Sequence, residues 1–437
     1  MSEKIKYILA DWFERDIPEC IERKITTNIF EENMILVTAG VRRAGKTYSL
    51  YKMITELRKE IPKENIIFIN FEDDRLYPLE SNELKQLLPT YIQNFSYNSS
   101  YPIYLFLDEI QSINEWERTI RNIYDTKKNV NIAVTGSNSK LLSSEIATTL
   151  RGRCISRIIY PLSFGEFLKF RNYPIDTLNL ITYSRKKDEI IGHFNEFLEI
   201  GGFPQVVLAK RKTEILMEYY RSIFYRDIVE RYEIRNIRLF ENFMKLVIQS
   251  VGSLFSFGKA KNTLESIGFK VSKNTLIEYM NMMQSAFLIY EVPIFSYTVK
   301  DHLQYPRKIY ICDTGLRNAV CFRFSEDTGK LLENIVFLSL IRKGVDVYYW
   351  QDKNGYEVDF LIREKNCVTS LIQVCYDIAD NKTRKREERP LLKAMEMFEL
   401  NRAIILTFDT QDEVKFQAKT IVYKPIWLWL LENDKNK

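Results

Sequence analysis

Histidine is almost absent from this chain, with only His193 and His302 among 437 residues. The six cysteines, Cys20, Cys154, Cys312, Cys321, Cys367 and Cys375, are scattered and form no C-x-x-C pair. That scarcity excludes a structural zinc site and reads as free thiols in a reducing compartment. No run of about eighteen apolar residues occurs, so no membrane span is expected. The first residues, MSEKIKYILADWFERD, carry acids and lack an apolar leader core, which argues against secretion and for a cytoplasmic protein. Glycine and proline are sparse, at 15 and 12, and no internal repeat or low-complexity segment is visible. A net charge of +5 permits nucleic-acid binding without demanding it. The most basic stretch, Lys382 to Arg386, is followed directly by Glu387 and Glu388, so it fits a solvated helix start as well as a phosphate-binding patch.

What is present is a folded composition, 46% hydrophobic and 28% charged, in a chain long enough for two or three domains. Residues 40–47 read GVRRAGKT and fit the phosphate-loop pattern G-x-x-x-x-G-K-[ST]. A strand-like run, Met34 to Thr38, precedes the loop, and a helix start at Tyr48 follows it. In that context Gly40, Arg43, Ala44, Gly45, Lys46, Thr47 and Tyr48 form the expected nucleotide-binding stretch. The glycines admit backbone N–H groups to the phosphates, Lys46 reaches the β- and γ-phosphates, and the Thr47 hydroxyl binds Mg2+.

Between residues 34 and about 160, apolar runs alternate with amphipathic stretches, the pattern of a parallel sheet covered on both faces. Residues up to about 30 read as helices. The run at 101–110 ends in Asp108 and Glu109, where Asp108 would hold Mg2+ and Glu109 would orient or deprotonate the attacking water. The next run ends in Thr135-Gly136-Ser137-Asn138, where Ser137, or in competition Asn138, could sense the γ-phosphate or instead cap the following turn. Arg153, with Arg151 as the alternative, could reach a neighbouring subunit's nucleotide or pair with acids of its own fold. Residues 163–235 are helical in period, broken at Gly201-Gly202-Phe203-Pro204, and a second α/β pattern begins near 306.

The segments GVRRAGKT, INFEDDRL, LFLDEIQ, VTGSNSKLL, LRGR, PLSFGEF and GGFP, in this order, resemble bacterial and archaeal AAA-type ATPases with a C-terminal DUF4143 region. The resemblance covers nearly the whole chain. It implies an α/β, AAA+-like P-loop NTPase core with N-terminal helices over 1–165, and ATP as the nucleotide. A helical lid over 166–239, a winged helix over 240–300 and a restriction-endonuclease-like α/β domain over 301–437 would follow.

On the winged-helix reading, Ser272 caps a recognition helix with Leu276, Tyr279, Met280 and Met283 inward. Lys273, Asn274, Thr275 and Glu278 then face outward, and Lys259, Lys261, Lys270 and Lys273 surround the element, leaving Lys270, Lys273 and Asn274 as DNA contacts. The element could equally serve protein packing. In the nuclease-like segment Glu333 and Asp359 fit the first two acids of the metal site, but the third position reads Gln373-Val374-Cys375. An amide there is a poor Mg2+ ligand, and Cys375 cannot replace the expected lysine. Trp350 reads as core. Double-stranded DNA is the expected partner, with a protein partner, a homo-oligomer, a slow ATP-dependent switch and an ATP-gated metal-dependent DNase as alternatives.

Overall fold

A computed structural model of the chain describes residues 3–21, 23, 30, 32–78, 81–127, 129–150, 152–174, 186–321 and 327–435. It divides into two compact units, one formed by residues to Tyr160 with Ser285–Phe287, the other by Pro161–Gln284 with Leu288 onward. Apart from Ser285–Phe287, the segments 166–239, 240–300 and 301–437 all lie within the second unit.

In the first unit the apolar runs become β1 (Ile35–Ala39), β2 (Ile66–Asn70), β3 (Ile103–Asp108), β4 (Val130–Gly136) and β5 (Cys154–Ile158). All four neighbouring pairs are parallel, in the order β2-β3-β4-β1-β5. β1 and β3 are buried at every position, which is why their sequences run continuously apolar instead of alternating. The inserted strand β4 brings the carboxyl ends of β3, β4 and β1 side by side, with Leu107 opposite Val134 and Ala39 opposite Gly136. Ligands of open parallel sheets bind at these ends.

Helix Glu3–Glu14 packs Ile5, Ile8, Leu9 and Trp12 inward. The Trp12 indole N–H donates to the Ile66 carbonyl at 2.7 Å, and its ring lies 5.2 Å from Phe68. Over Arg15 to Ile21 the helical reading fails, because these residues form no regular element and Ile21 is exposed. Ile25 lies outside the described residues.

In the second unit, helices Lys186–Ile200, Pro204–Leu208 and Lys212–Ser222 precede a π-helical stretch, Ile223–Glu230. The break between the first two is fixed sterically. Gly201 sits at φ +72°, and a Cβ there would lie 2.0 Å from Asp313 Oδ1. The same carboxylate accepts the Gly202 N–H at 2.6 Å and the Leu316 N–H at 3.0 Å.

Helices Ile237–Gln249, Phe257–Ser266 and Lys273–Ser285 accompany a three-stranded antiparallel sheet of β6 (Ser253–Phe255), β7 (Ile289–Val292) and β8 (Arg307–Ile311), ordered β6-β8-β7. The remaining strands are β9 (Asp346–Gln351), β10 (Glu357–Glu364), β11 (Cys367–Val374), β12 (Arg402–Thr407), β13 (Asp412–Phe416) and β14 (Lys419–Pro425). They form a mixed sheet ordered β13-β14-β12-β11-β10-β9. Helix Asn381–Met397 crosses between β11 and its parallel neighbour β12, and its first turn contains the start of the basic stretch Lys382 to Arg386. Trp350 is buried in the core beneath it, with Val358, Leu361, Leu391 and Met395.

Candidate functional site

Residues 40–45 turn from β1 into helix Lys46–Leu57. Gly40 is required by close approach, since a Cβ would sit 2.2 Å from the Ile159 carbonyl oxygen. Gly45 is required by conformation, at φ +100°, and the helix it precedes has no side-chain cap. The first-turn N–H groups are thus left for an anion. Arg43 is exposed, also in the left-handed region at φ 68°, and Tyr48 is exposed beside Tyr51.

Behind this turn the acids of β3 meet it. Thr47 donates its hydroxyl to Asp108 Oδ2 at 2.7 Å, and Lys46 Nζ lies 3.3 Å from Glu109 Oε1. All but Thr47 are buried. Asp108 Oδ1 accepts from the Thr135 hydroxyl, which in turn accepts the Glu109 N–H at 3.2 Å. Burial and the adjacent Glu109 push the Asp108 carboxyl up to about 6, against hydrogen bonds from Thr135 and Thr47 and the Lys46 charge. Burial would also raise Glu109, but Lys46, Gln111 and Arg42 together hold it at about 2. The two adjacent carboxyls therefore shift in opposite directions, because Lys46, Gln111 and Arg42 outweigh burial at Glu109 while burial outweighs the hydrogen bonds at Asp108.

Ser137 is fully buried at the end of β4, 3.4 Å from Gln111 Nε2. Asn138 instead caps the following turn through the Lys140 N–H at 2.9 Å. Arg153 pairs with Asp125 of its own unit and its guanidinium lies 5.7 Å from the Tyr124 ring. Of the two alternatives for this arginine, the structure contains the pairing within its own fold. Arg151 lies outside the described residues.

Three contributors were not singled out by the sequence reading. Arg23 donates to the Ala44 carbonyl at 2.8 Å and to the Tyr160 carbonyl at 3.0 Å, tying the loop to the end of the fifth strand's extension. Arg42 forms a two-toothed pair with Glu72, at 3.0 and 2.7 Å, after β2. Gln111 donates to Glu109 Oε2 at 2.6 Å, while its own Oε1 is buried and accepts no hydrogen bond from a described residue. Arg42 and Gln111 lie inside the GVRRAGKT and LFLDEIQ segments, whereas Arg23 lies in neither.

In the second unit, Glu333, Asp359 and Gln373 do come together, but around a side chain that the sequence reading passed over. Lys308 Nζ lies 3.0 Å from Glu333 Oε1, 2.7 Å from Asp359 Oδ1 and 2.7 Å from Glu357 Oε1. Tyr310, two positions along the same strand, donates to Glu333 Oε1 at 2.6 Å. Gln373 Oε1 accepts the Asp359 N–H at 3.1 Å, so the carbonyl oxygen considered for Mg2+ is engaged by backbone. Its Nε2 donates to Glu387 at 2.9 Å.

On helix Lys273–Ser285, Leu276, Tyr279, Met280 and Met283 are buried, and Ser272 accepts the Thr275 N–H at 3.1 Å. Lys270, Lys273 and Asn274 are exposed. A second cationic surface lies on helix Asn381–Met397. Lys382, Lys385, Arg386 and Arg389 fall at i, i+3, i+4 and i+7 and line one cavity of about 460 Å3 with Glu357, Gln373 and Glu387. The basic stretch is thus a helix face, with Arg386 paired to Glu387.

Family models match the chain in three consecutive parts: an AAA domain over residues 32–168, a domain of unknown function (DUF8612) over 191–327, and another (DUF4143) over 328–429. An uncharacterised protein of Methanocaldococcus jannaschii is 39% identical over 415 residues, covering 91% of this chain and 88% of that protein. An uncharacterised protein of Haemophilus influenzae is 31% identical over 404 residues, covering 91% and 95%. Among solved structures, a Walker-type ATPase of Pyrococcus abyssi aligns over 70% of this chain and 99% of its own, at 15% identity and a TM-score of 0.47. The Aeropyrum pernix Orc1 protein in complex with DNA aligns over 72% and 91%, at 12% identity and a TM-score of 0.29.

Proposed function

The chain belongs to the family that joins an AAA-type P-loop ATPase domain to a DUF4143 region, and from that premise we propose that it binds ATP with Mg2+ and hydrolyses it. The observation that carries this reading is the double contact between loop and strand end, Lys46 with Glu109 and Thr47 with Asp108. A lysine, a hydroxyl and two carboxylates, meeting beside an uncapped helix start, form the donor set that a nucleoside triphosphate and its cation require.

The Thr47 hydroxyl and the Asp108 carboxylate fit Mg2+, being hard oxygen donors 2.7 Å apart at the loop. When bound, that ion would offset charge on the β- and γ-phosphates. Lys46 would leave Glu109 for the phosphates. Glu109, kept ionised, would then be released to orient and deprotonate water held with Gln111 and Ser137. Gly40, Arg43, Ala44, Gly45 and Tyr48 would contribute backbone and flanking contacts. Arg153 would act on a neighbouring nucleotide only after leaving Asp125, which makes assembly a condition for full activity.

We further propose that the nucleotide state governs engagement of double-stranded DNA by residues 240–300, read as a winged helix, and by the nuclease-like region after 301. Supporting this are the exposed Lys270, Lys273 and Asn274 on one helix start, and the cationic face of Lys382, Lys385 and Arg389. The segment 166–239 would serve as the lid. The resting Lys46–Glu109 pair also suits a slow switch that binds a protein partner. Steady-state ATP hydrolysis with and without duplex DNA separates the two. Acceleration by DNA supports coupling, and turnover indifferent to DNA favours the switch.

A further inference from the structure

The restriction-endonuclease resemblance implies a divalent metal among Glu333, Asp359 and the third position, and the residues present do not fit one. Three carboxylate oxygens, one each from Glu333, Glu357 and Asp359, converge at 2.7–3.0 Å on a single nitrogen, Lys308 Nζ. Those are ammonium–carboxylate distances. An ion held by the same oxygens at roughly 2.0–2.6 Å would have to occupy the space of that nitrogen. Two of the acids are further engaged by protein. Asp359 Oδ2 accepts the Val374 N–H at 2.9 Å, and Glu333 Oε1 takes the Tyr310 hydroxyl.

We propose that Lys308 is a built-in counter-cation that occupies the metal position of this acidic cluster, making it a closed, metal-independent joint between the three-stranded and six-stranded sheets. This inference stands apart from the ATPase reading and shares none of its residues. The local backbone explains how the lysine gets there. On β8, Lys308 and Tyr310 point to one side, and both reach Glu333 on helix Asp327–Arg342. The β9–β10 register shifts between Val358 and Leu361, and this irregularity brackets Asp359. Glu357 and Asp359 both reach the lysine across it.

Lys308 is 2% exposed. It cannot swing into solvent without leaving three acids uncompensated, so the arrangement is locked rather than exchangeable. Burial opposes its charge, but Asp359, Glu333, Tyr310 and Glu357 raise its pKa well above the ordinary lysine value. Removing the ammonium would leave a vacancy lined by three carboxylates from two elements, the geometry of a hard-cation site.

The test is Mn2+ binding to the nucleotide-free, full-length protein, measured by calorimetry. The Lys308→Met variant is expected to gain one Mn2+ per chain over wild type, and adding Glu333→Gln and Asp359→Asn should remove it. A folded Lys308→Met protein that gains no Mn2+ would overturn the proposal. Wild type and its own Glu333→Gln/Asp359→Asn variant should bind equal amounts of Mn2+. This second comparison decides the matter even where Lys308→Met does not fold. A wild-type Mn2+ ion lost with those two carboxylates would show that the lysine does not hold the position.

Discussion

Lys46 and Glu109 face each other behind the phosphate loop, Nζ to Oε1 at 3.3 Å, with both side chains buried. The residue expected to grip the γ-phosphate is thereby paired with the residue expected to activate water. Without nucleotide the ammonium satisfies the carboxylate, and on the proposed function a bound triphosphate would draw it away.

The adjacent acid sets a pH dependence. Asp108 titrates at about 6 against an ordinary 3.8, so the native state holds its proton more tightly than the unfolded chain does. Its contribution to stability falls as pH rises from about 4 to 6 and stays lower above that, by about 3 kcal/mol. Asp108→Asn should raise the neutral-pH stability of the nucleotide-free protein and flatten that slope, while abolishing Mg2+-dependent ATP binding. Glu109, held at about 2, acts in the opposite sense, losing stability as pH falls from about 4.5 to 2. Urea unfolding at several pH values checks both.

Arg23 closes the loop from outside by donating to the Ala44 and Tyr160 carbonyls. Arg23→Ala should cost about 1–2 kcal/mol of stability and weaken ATP binding severalfold. Arg23→Lys should recover only part, because a single ammonium does not reproduce the fork. Thermal unfolding and nucleotide titration read the two effects separately.

Gly201 offers a steric test. Gly201→Ala places a Cβ 2.0 Å from Asp313 Oδ1 at a φ of +72°, and should destabilise by about 2–4 kcal/mol. Gly192, inside helix Lys186–Ile200 with open space around it, is the control. Gly192→Ala should stabilise by about 0.4–1 kcal/mol.

If duplex DNA meets the exposed cations, affinity must fall steeply with salt. Each alanine at Lys270, Lys273, Lys382 or Lys385 that removes a phosphate contact should reduce the log–log salt slope by about 1. A slope near zero in wild type would point to a protein partner.

The parts of the fold legible in the sequence were those whose constraint is local. A glycine-bounded turn, an apolar run ending in two acids and an i, i+3, i+4, i+7 stripe each declare themselves within a dozen residues. Arg23, Arg42 and Lys308 did not, because each acts on a partner brought near only by the completed fold. Glu72 lies 30 positions from Arg42, and Asp359 lies 51 from Lys308. Lys308 did leave one trace, a second charge directly after Arg307 at the head of the RKIYI strand. The Arg153 partner, Asp125, comes from an earlier helix, Trp116–Thr126, and that pairing was left open by sequence alone.

Steady-state ATP turnover by wild type against Glu109→Gln and Lys46→Ala tests the central claim most directly. The account predicts measurable hydrolysis by wild type and a loss of about 10²-fold or more in Glu109→Gln with ATP binding retained. It predicts loss of both binding and turnover in Lys46→Ala. Wild-type turnover that survives in Glu109→Gln, or ATP binding that survives unchanged in Lys46→Ala, would contradict it.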